Sequence, residues 1–298
     1  MFDGINRGES PTTILQKLAS ISGHQSRQYG IADVEGREIT FSGSSNGAYK
    51  GGVKGSVGSL HYAIQGNVLA GACVIDAIEQ ATLEYKGDMP NILMAGMKAA
   101  GEVGGDGRCS CSQFNPTSCG CPIYNKKPGH IGGMIVARIG DIDTPQCNAN
   151  GCADGTYFMN INVAFQSNSS PDPVTQLQQK FEAFRSTKKG VPDAVASSVD
   201  FNPSSIPPDG TSITNMFIRL VDYDQTPVEA STQIQVTHAP GSASLSTILM
   251  DTLKYEGSGV YSLSLRAGTS TGTDSFIVST TTGPNRIILM PEPQLMYS

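Results

Sequence analysis

The chain contains no tryptophan, and no cysteine follows Cys152. Together these absences exclude, in the C-terminal part, the antibody-type disulfide packed on a tryptophan. Charge is also scarce. Asp, Glu, Lys and Arg make up 15% of the 298 residues, where an average soluble protein has about 25%. The net charge of −6 leaves no basic patch, so nucleic acid is not an expected partner. No apolar run approaches the roughly 20 residues that cross a bilayer, so no membrane span is expected. The opening "MFDGINRGES" lacks the apolar core of a signal peptide.

Glycine, serine and threonine are plentiful, as suits a β-rich, loop-rich protein outside the cytosol. Cys109, Cys111, Cys119, Cys121, Cys147 and Cys152 lie in Gly/Asn/Ser/Pro-rich loops, a context typical of disulfides in oxidising compartments. Cys73, in the apolar "LAGACVIDAI", reads instead as a buried helix thiol. Exported-looking cysteines and a start without an export signal are reconciled if the true N-terminus, with its signal peptide, lies upstream. The expected location is then extracellular, periplasmic or on the cell surface.

Ser10-Pro11 opens a helix as N-cap and first-turn proline, with Ile14, Leu15, Leu18 and Ile21 at helical spacing. "RQYGIADVEGREITFSG" predicts a β-hairpin turning at Glu35-Gly36, and the glycine-rich stretch 46–58 reads as a mobile loop. "SLHYAIQGN" is a strand feeding a helix over 69–85, and a second helix covers 91–100. "HIGGMIVARIGD" and "TYFMNINVAF" are strands joined by the Cys147–Cys152 loop. Asp172-Pro173 caps a last helix with Val174, Leu177, Phe181 and Phe184 on one side. These blocks predict an α+β domain over 1–189. A Pro/Ser/Asp-rich linker over 190–209 follows, then six strand-like runs over 210–298 at the turn spacing of a β-sandwich.

"RQYGIADVEGREITFSG", "YAIQGNVLAG", "AAGEVGGDGRCS" and "DPVTQLQQKFEAFR", in this order, resemble the family known as domain of unknown function 1028. The likeness covers about residues 1–188. It implies an αββα layered sandwich similar to the N-terminal nucleophile hydrolases, here without the family's first two strands. That class uses a Ser, Thr or Cys at residue one as nucleophile. Met1-Phe2 supplies none, so no nucleophile is identified in this chain. Residues 210–290, through "FIRLVDYDQTPVEASTQIQV" and "GSGVYSLSLRAGTSTGTDSFIV", resemble the bacterial immunoglobulin-like repeats of surface and adhesin proteins.

Two functions follow. One is a hydrolase acting on an amide bond of a small or peptide-like substrate, with its nucleophile upstream. The other is a non-catalytic surface, adhesion or fimbrial-assembly module with cell-surface partners. In the first, Gln28, Asn67, Asp106 and Arg108 line the cleft. Asn67 doubles as a helix N-cap, and Asp106 with Arg108 as a glycine-turn pair bonding backbone or each other.

Cys109-x-Cys111 and Cys119-x-Cys121 space their thiols too closely for a usual zinc site, which favours disulfides, with three connectivities open. Cys147 and Cys152 suit a local disulfide. Asp141/Asp143 and Asp222/Asp224 read as solvated turns before calcium ligands. His24, His61, His130 and His238 show no ligand spacing, and no local Cys/His or Ser/His/Asp signature is present. No cofactor or metal is expected.

Overall fold

Ser10 starts the first long helix as its spacing predicts: its Oγ accepts from Thr13 N at 3.2 Å, ahead of Pro11. The computed structural model describes residues 2–84, 87–121, 127–138, 141, 157–167, 169–229, 233–243, 245–282 and 285–298. The chain divides into two units, Met1–Glu182 and Ala183–Ser298.

In the first unit, a short helix α1 (Phe2–Asn6) precedes α2 (Pro11–Leu18). Ile14 and Leu18 of α2 are buried with Tyr29 and Ile31, and Phe41 packs on the cluster. Tyr29 and Ile31 belong to β1 (Gln28–Ala32), which pairs antiparallel with β2 (Glu38–Ser42). Their turn is held by Asp33, whose Oδ1 accepts from the backbone N–H of Glu35 and Arg37.

The stretch 46–58 corrects the sequence reading. Gly51–Val57 is a strand, β3, paired antiparallel with β4 (Leu60–Gly66). Gly52 marks a close approach between hairpins. A Cβ on Gly52 would stand 2.4 Å from Thr40 Oγ1 and 2.8 Å from Ile64 O. Only a glycine fits a backbone pressed that closely against its neighbour.

Helix α3 (Cys73–Glu84) begins four residues later than expected, and α4 (Met89–Glu102) begins two earlier, capped by Asp88. The one-turn α5 (Gly107–Ser110) follows. Then come β5 (Gly132–Val136), antiparallel with β6 (Met159–Val163), and α6 (Pro173–Ser186). Asp172 caps α6 by accepting from Val174 N and Thr175 N, and Leu177 and Phe181 are buried. Among the described residues, the strands of this unit pair as three two-stranded sheets.

After the end of α6, the second unit is built of strands. One sheet runs β11 (Ser246–Gly257), β12 (Val260–Ala267), β9 (Ile213–Arg219), β7 (Ser198–Asn202). The other runs β10 (Gln233–His238), β13 (Gly272–Thr282), β15 (Gln294–Tyr297), β8 (Ser205–Ile206), with β14 (Asn285–Ile288) also paired to β13. Alternate residues point inward, as the period of two requires. Met216, Ile218, Leu263, Leu265, Phe276 and Leu295 form one core shared by both sheets.

The expected linker over 190–209 is corrected here: β7 and β8 lie inside it and pair with β9 and β15. Its strand signal is weak because β7 offers only Val199 and Phe201 to the core and Pro203 follows at once. No helix among the described residues is long and apolar enough to cross a membrane.

Candidate functional site

The residues singled out from sequence fall into two adjoining polar groups. Gln28 opens β1. Its Nε2 donates to Ser42 Oγ at 2.7 Å and to Gly66 O at 2.8 Å. A carbonyl only accepts, so the amide orientation is fixed and Oε1 points the other way. That oxygen accepts from Asn67 Nδ2 at 2.8 Å, and the same Nδ2 reaches Asn46 Oδ1 at 3.2 Å. Asn46 Nδ2 in turn donates to Arg27 O and Gly43 O. Three amide side chains thus stitch the end of β4 to the start of β1 and the loop after β2. Asn67 is not a helix cap, because α3 starts only at Cys73.

The second group lies one backbone pairing away. Leu69 bridges Asp106 antiparallel, and Gly107 N donates to Val68 O at 2.9 Å. Asp106 is the N-cap of α5. Its Oδ1 accepts from Arg108 N at 2.9 Å and from Arg108 Nε at 3.0 Å, and Oδ2 accepts from Arg108 Nη2 at 2.5 Å. The hydrogen bond to Asp106, with the carboxylate's charge, holds the half-exposed Arg108 above its ordinary basicity. The pair therefore bonds backbone and itself, the second of the two roles set out for it. Upstream, Gly105 N donates to Ala100 O at 2.9 Å and closes α4; both Gly104 and Gly105 have positive φ.

The cysteines are partly re-sorted. Cys111 pairs with Cys119, and Cys121 pairs with Cys73. Cys73 is not a buried core thiol: as the first residue of α3 it is half-buried and faces the loop. Cys109, expected in a disulfide, carries a free thiol. Cys147, Cys152 and Asp143 lie outside the described residues. Among the described residues no group of three or more His, Cys, Asp and Glu is placed to hold a metal ion. Asp141 Oδ2 accepts from Arg138 N and Phe158 N, and Asp222 Oδ1 from Asp224 N and Thr226 N, as turn-forming carboxylates do.

One contact was invisible to sequence spacing. Cys109 Sγ lies 3.5 Å from His130 Nδ1, and Phe165 tilts against the imidazole at 5.2 Å. Burial pushes the Cys109 thiol up, and the Asp106 carboxylate adds to this. Arg108 and Lys127 oppose it without cancelling it. The two residues are 21 apart across the disulfide-bearing loop, a separation no local motif encodes.

Residues 1–115 match the sequence model of a family of unknown function (DUF1028). No curated protein matches the chain. Among solved structures, the adhesin InvE of Yersinia pseudotuberculosis is similar at 24% identity over 34% of this chain and 26% of that one, with a TM-score of 0.28. InvD of the same organism is similar at 23% identity, over 35% of this chain and 27% of that one, with a TM-score of 0.29. The D00-D0 domain of intimin aligns at 12% identity over 51% of this chain and 60% of that one, with a TM-score of 0.27. The aligned part thus spans about a quarter of the two Yersinia chains.

Proposed function

We propose that the chain is an extracellular, non-catalytic binding protein, in which an α+β unit and an immunoglobulin-like sandwich serve recognition at a cell surface. The observation that carries this reading is how the candidate cleft residues spend their polar groups. Both ends of the Gln28 amide, the Asn67 amide donors and both Asp106 oxygens are bonded within the protein. A hydrolytic site needs a nucleophile and a base with capacity left for substrate; this cluster instead cross-links backbone segments. Two disulfides support an oxidising location. The resemblance of residues 210–290 to bacterial surface repeats supports a displayed module.

Incubating the full chain with a mixed peptide library, read by mass spectrometry for new termini, tests the proposal. Intact peptides are the expected result. Cleavage that disappears in Asp106→Ala would overturn it.

Amide-bond hydrolysis on an αββα scaffold is the second reading, favoured by the contact of Cys109 with His130. An imidazole at that distance is placed to take the thiol proton. In the same assay, cleavage abolished by alkylating Cys109 would support this reading over the first.

A further inference from the structure

His238 ends β10, the outermost strand of one sheet, and Ser246 opens β11, the outermost strand of the other. The imidazole joins the two. Its Nδ1 lies 3.1 Å from Asp274 Oδ1, and its Nε2 lies 3.2 Å from the Ser246 backbone oxygen. Asp274 also accepts from Ser242 Oγ, Ser246 Oγ and Ser246 N. Burial opposes its charge, but the serine donors and the His238 charge keep the carboxyl below its ordinary value, so it is ionised. An ionised carboxylate and a backbone carbonyl only accept hydrogen bonds. Both ring nitrogens therefore donate, and only the doubly protonated imidazolium has two N–H groups.

The elements packed around the ring leave the titration to His238. From β13 come Asp274 and Phe276, whose ring lies 5.4 Å from the imidazole. β11 brings Ser246, and the connection between the strands brings Ser242. Tyr297 of β15 feels the Asp274 charge, but burial pushes its phenol above its ordinary value of 10.0. Arg266 of β12 is exposed opposite Thr247. The other three of the four histidines, and every cysteine, precede the second unit. Histidine is the side chain whose charge ordinarily changes between about pH 5 and pH 8, and His238 is the one such group in that unit.

We propose that His238 is a pH-sensitive clasp between the edge strands of the two sheets, closed while the imidazole carries both ring protons and opened at the Ser246 carbonyl when it loses one. The proton lost is that on Nε2, because the Nδ1–H bond to the carboxylate is charge-assisted. Two acceptors then face each other, and Asp274 keeps a buried charge without its cation. The clasp's stabilisation is thus present at the acid end and lost as pH rises, the opposite sense to the protonation of Asp274. It is a device of the sandwich alone and does not rest on the binding reading.

Nitrogen-15 NMR of the histidine-labelled full chain reads the ring directly. His238→Phe, which keeps a ring beside Phe276, assigns the His238 signals by their loss. If that variant does not fold, contact of the ring with Phe276 assigns them in the unaltered chain. Both ring nitrogens are expected to be protonated at about pH 5, and Nδ1 alone at about pH 8. Amide exchange at Ser242, Ser246 and Ser275, corrected for its intrinsic pH dependence, should rise about tenfold over that range. It should stay flat in His238→Phe, and exchange within β9 and β12 should stay unchanged in both. A proton held on Nε2 at the upper pH, a ring in one protonation state throughout, or exchange with no such rise would each overturn the proposal.

Discussion

Asp274 is fully buried in the sandwich and receives four hydrogen bonds. Ser246 Oγ donates at 2.6 Å, Ser242 Oγ at 2.7 Å and Ser246 N at 2.9 Å, and His238 Nδ1 lies at 3.1 Å. Burial alone pushes this carboxyl up, but the serine donors and the His238 charge outweigh it, leaving Asp274 below its ordinary value of 3.8. A depressed folded value stabilises the fold above the unfolded value and is lost as pH falls through the folded one. The C-terminal unit is therefore expected to loosen progressively below pH 3.8, followed by amide hydrogen exchange in β10 and β13. Asp274→Ala should cost about 3 kcal/mol, as removal of one partner from a buried charged network does, and should flatten that acid limb. Exchange rates that ignore both acid and the substitution would contradict this. Cys109 carries the opposite shift. Its alkylation by iodoacetamide at neutral pH should be slower than that of a solvent thiol and should climb with pH, while Cys73, Cys111, Cys119 and Cys121 stay unlabelled until reduced. Peptide mapping reads this directly.

At the scale of elements, the close approach of two hairpins depends on Gly52. Gly52→Ala places a methyl against Thr40 and the Ile64 carbonyl, and should cost about 1–3 kcal/mol in urea unfolding of the N-terminal unit. An unchanged midpoint would mean that the strands are not held that closely. The same element shows where sequence legibility ends. Helices α2 and α6 were readable because an N-cap and a 3.6-residue apolar stripe are local signals. Strand β3 was not, since Gly52 answers to a neighbour 12 residues away at Thr40. The loop before β5 divides in the same way. That its cysteines form disulfides was legible from composition. That Cys73 takes Cys121 while Cys109 stays a thiol beside His130 depends on where α3 begins and how the chain returns to β5. The polar residues were half legible: Gln28 bonds Asn67 and Asp106 bonds Arg108 in two adjoining groups, but what they bond could be seen only in three dimensions. Asn46 and Ser42 were missed because nothing in their neighbourhood marks them, and His130 was set aside because its partner Cys109 lies 21 residues away.

At the scale of the whole molecule, the chain is two units with separate cores, and every cysteine precedes the second. Cys73–Cys121 closes 48 residues and Cys111–Cys119 closes 8. On chain entropy alone these restrict the unfolded state by about 4 and about 2.5 kcal/mol. Reduction should therefore destabilise the N-terminal unit and leave exchange in β9, β12 and β13 unchanged; equal loosening of both units would show that they fold as one. The central claim is that the amide cluster is a structural tie rather than a catalytic constellation. A double-mutant cycle over Gln28→Ala and Asn67→Ala, read by amide hydrogen exchange across β1 and β4 in the full chain, tests it most directly. The expected result is a loss of about 1–2 kcal/mol for each single change with a coupling of about 1 kcal/mol between them. Exchange unaltered in all three variants would mean that these side chains are held for a ligand and not for the fold.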